Sequence, residues 1–226
     1  MLAACDTRGP LSTLAPAGPG AAEIAWVWWA MCIGAAVVTA GMTALALWAV
    51  YRPTGGTLRS PRALLVGGGV LLPLAAIAAV LAIGGRSGDA LRVRGEPGVL
   101  RIEVTAHQWW WEAAYPDAAG GPRHTAGVLH IPAGRPVDIG VRSADVIHSF
   151  WVPRLGGKID AVPGRRNTVR LQADAPGTYR GQCAEFCGLG HARMAFVVEA
   201  HAPNVFDARL AALPTVRPAA APEAAP

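Results

Sequence analysis

Two long runs without a charged residue limit what this chain can fold into. The first extends from Ile24 to Tyr51 and the second from Ala63 to Gly85. A helix needs about 20 apolar residues to cross the hydrocarbon core of a bilayer, so each run is long enough for one span. With 52% hydrophobic and only 15% charged residues, the chain is too apolar for an ordinary soluble domain. We therefore predict a transmembrane hairpin over residues 23–86, with spans at about 24–51 and 63–85.

Arginines between the two runs predict the orientation of this hairpin. Arg52, Arg59 and Arg62 all lie in the connector, and basic loops stay on the cytoplasmic side of a membrane. Both termini and everything after residue 86 are then extracytoplasmic. The first run is longer than the apolar region of a cleaved signal peptide and lacks its basic flank. The net charge of +5 comes partly from these arginines and gives no reason to expect nucleic acid as a partner.

Residues 1–22 form a leader in this interpretation. The segment from Leu2 to Cys5 resembles the end of a bacterial lipoprotein signal, in which the cysteine is lipidated, although the basic and apolar regions that normally precede it are missing. Cys5 is therefore a candidate lipidation site, and an ordinary leader is the alternative.

The pattern after residue 86 changes from continuous to alternating hydrophobicity. Four segments alternate as strands do, and Pro or Gly clusters separate them; the segments are 100–104, 137–141, 168–171 and 196–199. Short strands at this spacing indicate a β-sandwich or barrel, which we assign to residues 87–202. Residues 203–226 are an Ala/Pro-rich tail, and from Pro214 onward its composition predicts disorder.

A short segment before the last strand carries an unusual set of metal donors. Between Cys183 and Met194 the chain places two thiols, an imidazole, a thioether and a carboxylate. Thiolate and thioether donors favour soft ions, and imidazole suits copper, zinc or iron, so this set points first to copper and electron transfer. A structural zinc site would use a second Cys or His pair instead of the methionine. A disulfide between Cys183 and Cys187 is the alternative outside the cytosol.

A second imidazole upstream completes the donor set. His148 follows a predicted strand, and together with the loop it gives more donors than one blue-copper ion takes. Two ions that share both thiolates would use them all. Taken singly, His148 is typical of a core or surface histidine and Met194 of core packing. We interpret the remaining histidines as structural or surface residues; they are His107, His124, His130 and His201.

These motifs together resemble subunit II of the haem–copper cytochrome c oxidases, which carries the dinuclear copper A centre. The similarity covers most of residues 100 to 200 and rests on five segments: 108–111, 130–137, 148–150, 158–165 and 183–194. The resemblance implies a two-helix transmembrane hairpin followed by an all-β cupredoxin-like Greek-key barrel.

The resemblance also implies the role of each donor. Cys183 and Cys187 would bridge two copper ions, His148 and His191 would be terminal ligands, and Met194 a weak thioether ligand. The Glu185 main-chain carbonyl would bind the other copper weakly. The Glu185 carboxylate would help to hold a magnesium ion at the boundary with subunit I.

Partners follow from the same resemblance. The chain would be the non-catalytic, electron-accepting subunit of a proton-pumping oxidase in a bacterial inner membrane. Electrons from cytochrome c would arrive at Trp109, the first of three tryptophans that strand alternation would divide between core and surface. Glu112 and Asp117 would help to dock the cytochrome. Basic residues outnumber acidic ones between residues 86 and 200, which argues against steering of a soluble basic donor and leaves a membrane-held or less basic cytochrome as the alternative. Oxygen reduction and the haems would belong to subunit I, and other subunits would join it.

Three alternatives come from related classes. Nitrous-oxide reductase has a similar copper loop but a large additional domain and no membrane spans. A quinol-oxidase subunit II keeps the hairpin and barrel but lacks the copper ligands. A membrane-anchored cupredoxin carrier or copper-delivery protein would bind a single copper without an oxidase partner.

Overall fold

Two apolar helical stretches precede the β domain in the computed structural model, which describes residues 9–52, 60–116, 118, 121–216 and 219. Helix α1 is Pro19–Tyr51, and the second stretch runs from Pro61 to Ala90. Both extend past the predicted spans, while Arg59 of the connector lies outside the described residues. Within the described chain, the most apolar part of each stretch buries none of its residues. Such side chains need a lipid or protein environment of their own.

The second helical stretch contains a local widening. It consists of α2 (Pro61–Val66), a π-helical turn (Gly67–Leu71) and α3 (Leu72–Ala90). Leu72 donates its backbone N–H to the carbonyl of Gly67, which is the longer π-type connection. Three successive glycines, residues 67 to 69, and Pro73, which has no N–H to donate, weaken the regular α-helical bonding here. The glycine-rich segment therefore remains helical with a π turn.

Within its described residues, the β domain forms two five-stranded sheets. In one sheet the strand order is β3-β2-β1-β5-β8, and in the other it is β4-β10-β9-β6-β7. The strands are β1 (Leu100–His107), β2 (Trp110–Tyr115), β3 (Arg123–Ala126), β4 (Val128–Pro132), β5 (Val137–Ser143), β6 (His148–Trp151), β7 (Ile159–Ala161), β8 (Asn167–Leu171), β9 (Gly177–Cys183) and β10 (Ala195–His201). Each sheet is mixed, because β1 pairs parallel with β5 and β10 pairs parallel with β4.

Apolar side chains that alternate with outward-facing residues along the strands form the core between the two sheets. On β10, for example, Phe196, Val198 and Ala200 are buried, and the residues between them face outward. Trp111 lies near the middle of this core, with its ring centroid 5.5 Å from that of Phe150 and 5.4 Å from that of Phe196. The predicted fold class, two apolar helices followed by an all-β cupredoxin-like domain, is confirmed. All four predicted strands are present, as parts of β1, β5, β8 and β10.

Segments on both sides of the β domain pack against it. Before α1, the Ala17 N–H donates to the Arg154 carbonyl at 2.7 Å, and its own carbonyl accepts from the Asp174 N–H at 2.9 Å. After β10, helix α4 (Pro203–Ala211) buries Phe206 and Leu210 in the core. These two apolar residues, one helical turn apart, continue the core beyond the boundary predicted at residue 203. Most of the segment predicted to be disordered lies outside the described residues.

Candidate metal centre

The first candidate metal ligand, His148, is the first residue of strand β6. His148 is fully buried, and its Nε2 lies 2.7 Å from Asp145 Oδ1 in the preceding turn. That contact leaves Nδ1 facing the Cys183 Sγ atom at 3.9 Å. A carboxylate behind a ligating histidine fixes the orientation of the ring and raises its basicity. The local structure therefore presents Nδ1 as the metal-binding atom.

The other donors come from the loop between β9 and β10. Cys183 ends β9, a single 3₁₀ turn covers His191–Arg193, and Met194 directly precedes β10. The Cys183 N–H donates to the Met194 carbonyl at 2.9 Å, which closes the base of the loop. Because β9 and β10 are adjacent antiparallel strands, the sheet itself holds the two ends of the loop together.

All six predicted copper-ligating residues meet at this point. The two cysteine sulfurs are 3.9 Å apart, and the Glu185 carbonyl oxygen lies 3.2 Å from the Cys183 sulfur. On the other side, the Cys187 sulfur lies 3.6 Å from His191 Nδ1 and 3.6 Å from the Met194 sulfur. Both thiols are free, whereas a disulfide bond is about 2.05 Å long. The disulfide alternative therefore does not fit this arrangement.

The two thiols differ in their affinity for a proton. Although burial opposes the charged form, hydrogen bonds from the His148 side chain and from the Glu185 and Ser149 backbone lower the pKa of Cys183 to about 6. Burial, followed by the charge of Cys183, raises the pKa of Cys187 to about 12. Two adjacent thiolates repel each other unless a cation lies between them. The site therefore stabilises one thiolate readily and requires a positive charge for the second.

These donors fit a copper centre. Two sulfur atoms that bind a common ion at about 2.3 Å in a tetrahedral arrangement are about 3.8 Å apart, close to the 3.9 Å between Cys183 and Cys187. The donors are soft sulfur atoms and imidazoles, which suit copper, and Met194 is only 1% exposed. Magnesium prefers hard oxygen ligands and would not occupy this set.

A hydrogen-bonded bridge that we did not predict from the sequence connects the two ligand segments. The Gln108 N–H donates to Asp145 Oδ2 at 2.6 Å, and the Gln108 side chain donates to the Cys187 carbonyl at 2.8 Å. Asp145 thus contacts both His148 and the residue beside Trp109. Hydrogen bonds from His148 and from backbone N–H groups lower the pKa of Asp145, although partial burial opposes this. In the sequence, the signal for this bridge was Asp145, a carboxylate three residues before the predicted ligand His148.

Trp109 lies directly against the ligand loop. Its Nε1–H donates to the Cys187 carbonyl at 3.1 Å, while 40% of the residue remains exposed. A Cβ atom on Gly190 would fall 2.3 Å from the Trp109 ring, so only glycine permits this close approach. Of the three tryptophans, Trp111 is buried and Trp110 is half-buried, stacked on His107 at 4.4 Å.

Glu185 and Glu112 occupy opposite environments. The Glu185 carboxylate is exposed and lies 3.7 Å from Lys158 Nζ, so it points away from the sulfurs that its carbonyl faces. Glu112 is only 3% exposed and lies 3.3 Å from His107 and 3.4 Å from His124. This burial between two histidines counts against the docking role expected of Glu112, which stays a prediction. Asp117 and Cys5 lie outside the described residues.

Comparison with known proteins gives a consistent result. The family model for the periplasmic domain of cytochrome c oxidase subunit II matches residues 123–201. Cytochrome c oxidase subunit 2 of Alkalihalophilus pseudofirmus is 47% identical over 108 residues, covering 47% of this chain and 30% of the relative. The corresponding Synechocystis protein is 40% identical over 119 residues, covering 52% and 35%. The matched segment thus spans about a third of the length of these relatives.

A solved structure of the same kind also aligns with the chain. It is the periplasmic domain of subunit II of cytochrome oxidase (CoxB) of Bradyrhizobium japonicum, 32% identical, with 50% of this chain and 92% of that chain covered and a TM-score of 0.48. Fold and donor set define a membrane-anchored protein with a β domain that carries a candidate metal site. By its sequence, the chain belongs to the cytochrome c oxidase subunit II family.

Proposed function

We propose that this chain accepts electrons from a cytochrome c at a dinuclear copper A centre and passes them to the haem of oxidase subunit I. The observation that carries the proposal is the single cluster of two thiols, two imidazoles, a thioether and a main-chain carbonyl. When bound, a dinuclear copper centre supplies one-electron transfer with the charge spread over both ions. Oxygen reduction coupled to proton pumping then takes place in subunit I.

The protein contributes a rigid and dry environment for this step. Cys183, Cys187 and Met194 are buried, and His148 is held from behind by Asp145. Because strands on both sides fix the ligand loop, the donors are positioned before metal arrives and need to move little when the charge changes. Such preorganisation favours fast electron transfer without substrate binding.

The exposed surface of the ligand loop supports the assignment of an oxidase partner. Phe186 is 76% exposed and Leu189 is 96% exposed, an unusual position for large apolar residues beside a buried polar cluster. We propose that this surface contacts subunit I, with His191 as the ligand through which electrons leave. The Glu185 carboxylate would help to hold magnesium at the same boundary, and the exposed apolar helices would pack in the bilayer with the other subunits.

On the donor side we propose Trp109 as the point where electrons arrive. It is partly exposed and its indole N–H contacts a ligand-bearing residue directly. Because Glu112 is buried, we propose that electrostatic steering of a basic soluble cytochrome is weak. We place the β domain and both termini on the extracytoplasmic side of a bacterial inner membrane, from the arginines of the connector.

The proposal can be tested on the full chain in detergent. After loading with copper, we expect two copper ions per chain, a purple colour, and an EPR spectrum in which one unpaired electron is shared between both ions. A spectrum of a single blue copper would favour the alternative of a membrane cupredoxin or copper-delivery protein. Co-purification with a haem-containing subunit from native membranes would separate an oxidase subunit from a stand-alone carrier.

A further inference from the structure

Three ionisable side chains outside the copper cluster meet on the outer face of a sheet. Glu199 and His201 are two residues apart on β10, and Glu199 pairs directly with His130 on β4. Successive side chains of a strand point to opposite faces, and paired residues share a face. The register therefore brings all three side chains together, on the side of β10 opposite the buried Phe196, Val198 and Ala200.

The distances within this cluster match those of a metal site. His130 Nδ1 lies 2.9 Å from His201 Nε2 and 3.4 Å from Glu199 Oε2, and His201 Nε2 lies 3.8 Å from the same oxygen. Two ligands bound to zinc at about 2.0–2.1 Å in a tetrahedral arrangement are about 3.3–3.4 Å apart. The three observed distances lie on both sides of this value, so small rotations would bring all three atoms to bonding distance of one ion.

We infer that His130, Glu199 and His201 form a second metal site, which takes a divalent ion of the zinc type. Two imidazoles and one carboxylate are donors that such ions prefer, and three protein ligands leave the fourth position for water. The absence of sulfur distinguishes this set from the copper cluster. Since Glu199 is five residues beyond Met194 along the chain, it lies about 17 Å away at the rise of a strand.

The surroundings of the cluster agree with this role. The side chains of both histidines are only 14% exposed, whereas that of Glu199 is 44% exposed, so the ion could enter from the carboxylate side. Burial lowers the pKa of His130 despite the opposing charge of Glu199. A neutral imidazole is the form that binds metal. The His130 backbone N–H also donates to the buried Tyr115 hydroxyl at 2.6 Å, which fixes this part of the edge strand.

A metal at this position would connect β4 and β10, two strands that are far apart in the sequence. Among the described strands, β4 lies at the edge of its sheet, next to β10. An ion held by His130 from β4 and by Glu199 and His201 from β10 would clamp that edge. The inference does not depend on the proposed electron-transfer function, because none of the three residues belongs to the copper cluster.

The test uses the full chain in detergent, with copper added first so that the thiolates are occupied. Titration with Zn²⁺ is expected to show one zinc per chain, and zinc X-ray absorption is expected to show nitrogen and oxygen ligands without sulfur. Glu199→Gln, His130→Gln and His201→Gln should each weaken zinc binding by about tenfold or more. The matched control Asp174→Asn removes an exposed carboxylate elsewhere in the β domain and should bind zinc as the unmodified chain does.

Three results would each overturn the inference of a second metal site. Absence of zinc binding, sulfur ligands in the X-ray absorption spectrum, or unchanged affinity in all three variants would leave only a hydrogen-bonded cluster of two histidines and a carboxylate. An intact copper spectrum in each variant shows that the domain has folded. Because stoichiometry and ligand type are measured on the unmodified chain, they decide the question even if a variant fails to fold.

Discussion

The two donor clusters of the β domain differ in chemistry, in burial and in the way the backbone carries them. The first uses sulfur and imidazole, lies inside the domain, and depends on a loop that two strands hold closed. The second uses imidazole and carboxylate, is open to solvent on one side, and sits on two adjacent strands. A loop can curve around an ion and supply many donors, while a strand pair supplies only the few that its register aligns. The comparison indicates that donor type and backbone geometry together would select the ion at each proposed site, so that one small domain would separate two metals.

The largest expected effect comes from removing one thiolate of the buried cluster. Cys183→Ser or Cys187→Ser should abolish the dinuclear purple centre and leave at most one copper with a blue or green spectrum, because the second bridge is lost. Visible and EPR spectra with a copper assay measure this directly. Zinc binding at His130, Glu199 and His201 should be unchanged. A variant that lost both metals would show that the two clusters are not independent.

The second effect concerns the carboxylate that orients His148. Asp145→Asn keeps the size of the side chain but removes its charge, so we expect copper to bind about 10–100-fold more weakly, as is typical when a partner of a metal-ligating histidine is changed. Competition with a copper chelator measures the affinity, and Asp174→Asn serves as the control. Equal affinity in the two variants would mean that the loop alone positions His148.

The third effect tests Trp109. Trp109→Phe should keep the copper spectrum, since a planar ring still covers the loop, and should slow reduction by cytochrome c more than it weakens docking. If Trp109 only packs, the change would instead lower the free energy of unfolding by about 1 kcal/mol and leave the rate intact. Stopped-flow reduction at two ionic strengths measures both the rate and the steering by charge.

A companion variant sharpens this test. Gly190→Ala leaves the indole chemically unchanged but places a Cβ atom where the ring now lies, so it should displace Trp109 from the loop. Both variants should slow reduction if contact between the ring and the loop matters. Slowing by Trp109→Phe alone would assign the effect to the indole and not to its position.

The smallest expected effect is on Glu185. Because its carbonyl and not its carboxylate faces the Cys183 sulfur, Glu185→Gln should leave the purple spectrum unchanged. In the assembled oxidase the same change should weaken magnesium binding, which manganese substitution and EPR can measure. Loss of copper in this variant would contradict the assignment of the carbonyl.

The sequence predicted the buried cluster better than the cluster on the strands, for a physical reason. Five of the six donors of the buried cluster lie within twelve consecutive residues. The chain itself therefore keeps them close together, and their spacing in the sequence is enough to predict a site. His130 and Glu199 are far apart in the sequence and meet only through the register of β4 and β10, and no local pattern encodes that register. We accordingly interpreted His130 and His201 as structural or surface residues.

The same distinction applies to the fold. Strands that alternate cleanly, such as β5 and β10, were predictable, whereas the three-residue β7 and the partly buried β3 gave too little pattern. Helix α4 was missed because its composition is that of the tail, and only contact with the core shows why Phe206 and Leu210 are apolar. The burial of Glu112 was not predictable for the opposite reason. A charged residue is expected at the surface, and only the structure shows the two histidines that share its burial.

The parallel pairing of β4 with β10 has a consequence for the order in which the protein matures. Val128 finds its partner only when Val197 is available, so the edge of this sheet stays open until nearly the whole β domain has been synthesised. Pairings between distant segments form slowly, because the closure of a long loop must precede them. The loop from Cys183 to Met194 acquires its shape only when β9 and β10 come together. Until then its two thiols lack the neighbouring donors that would complete the proposed copper site. Copper insertion should therefore follow the folding of the β domain.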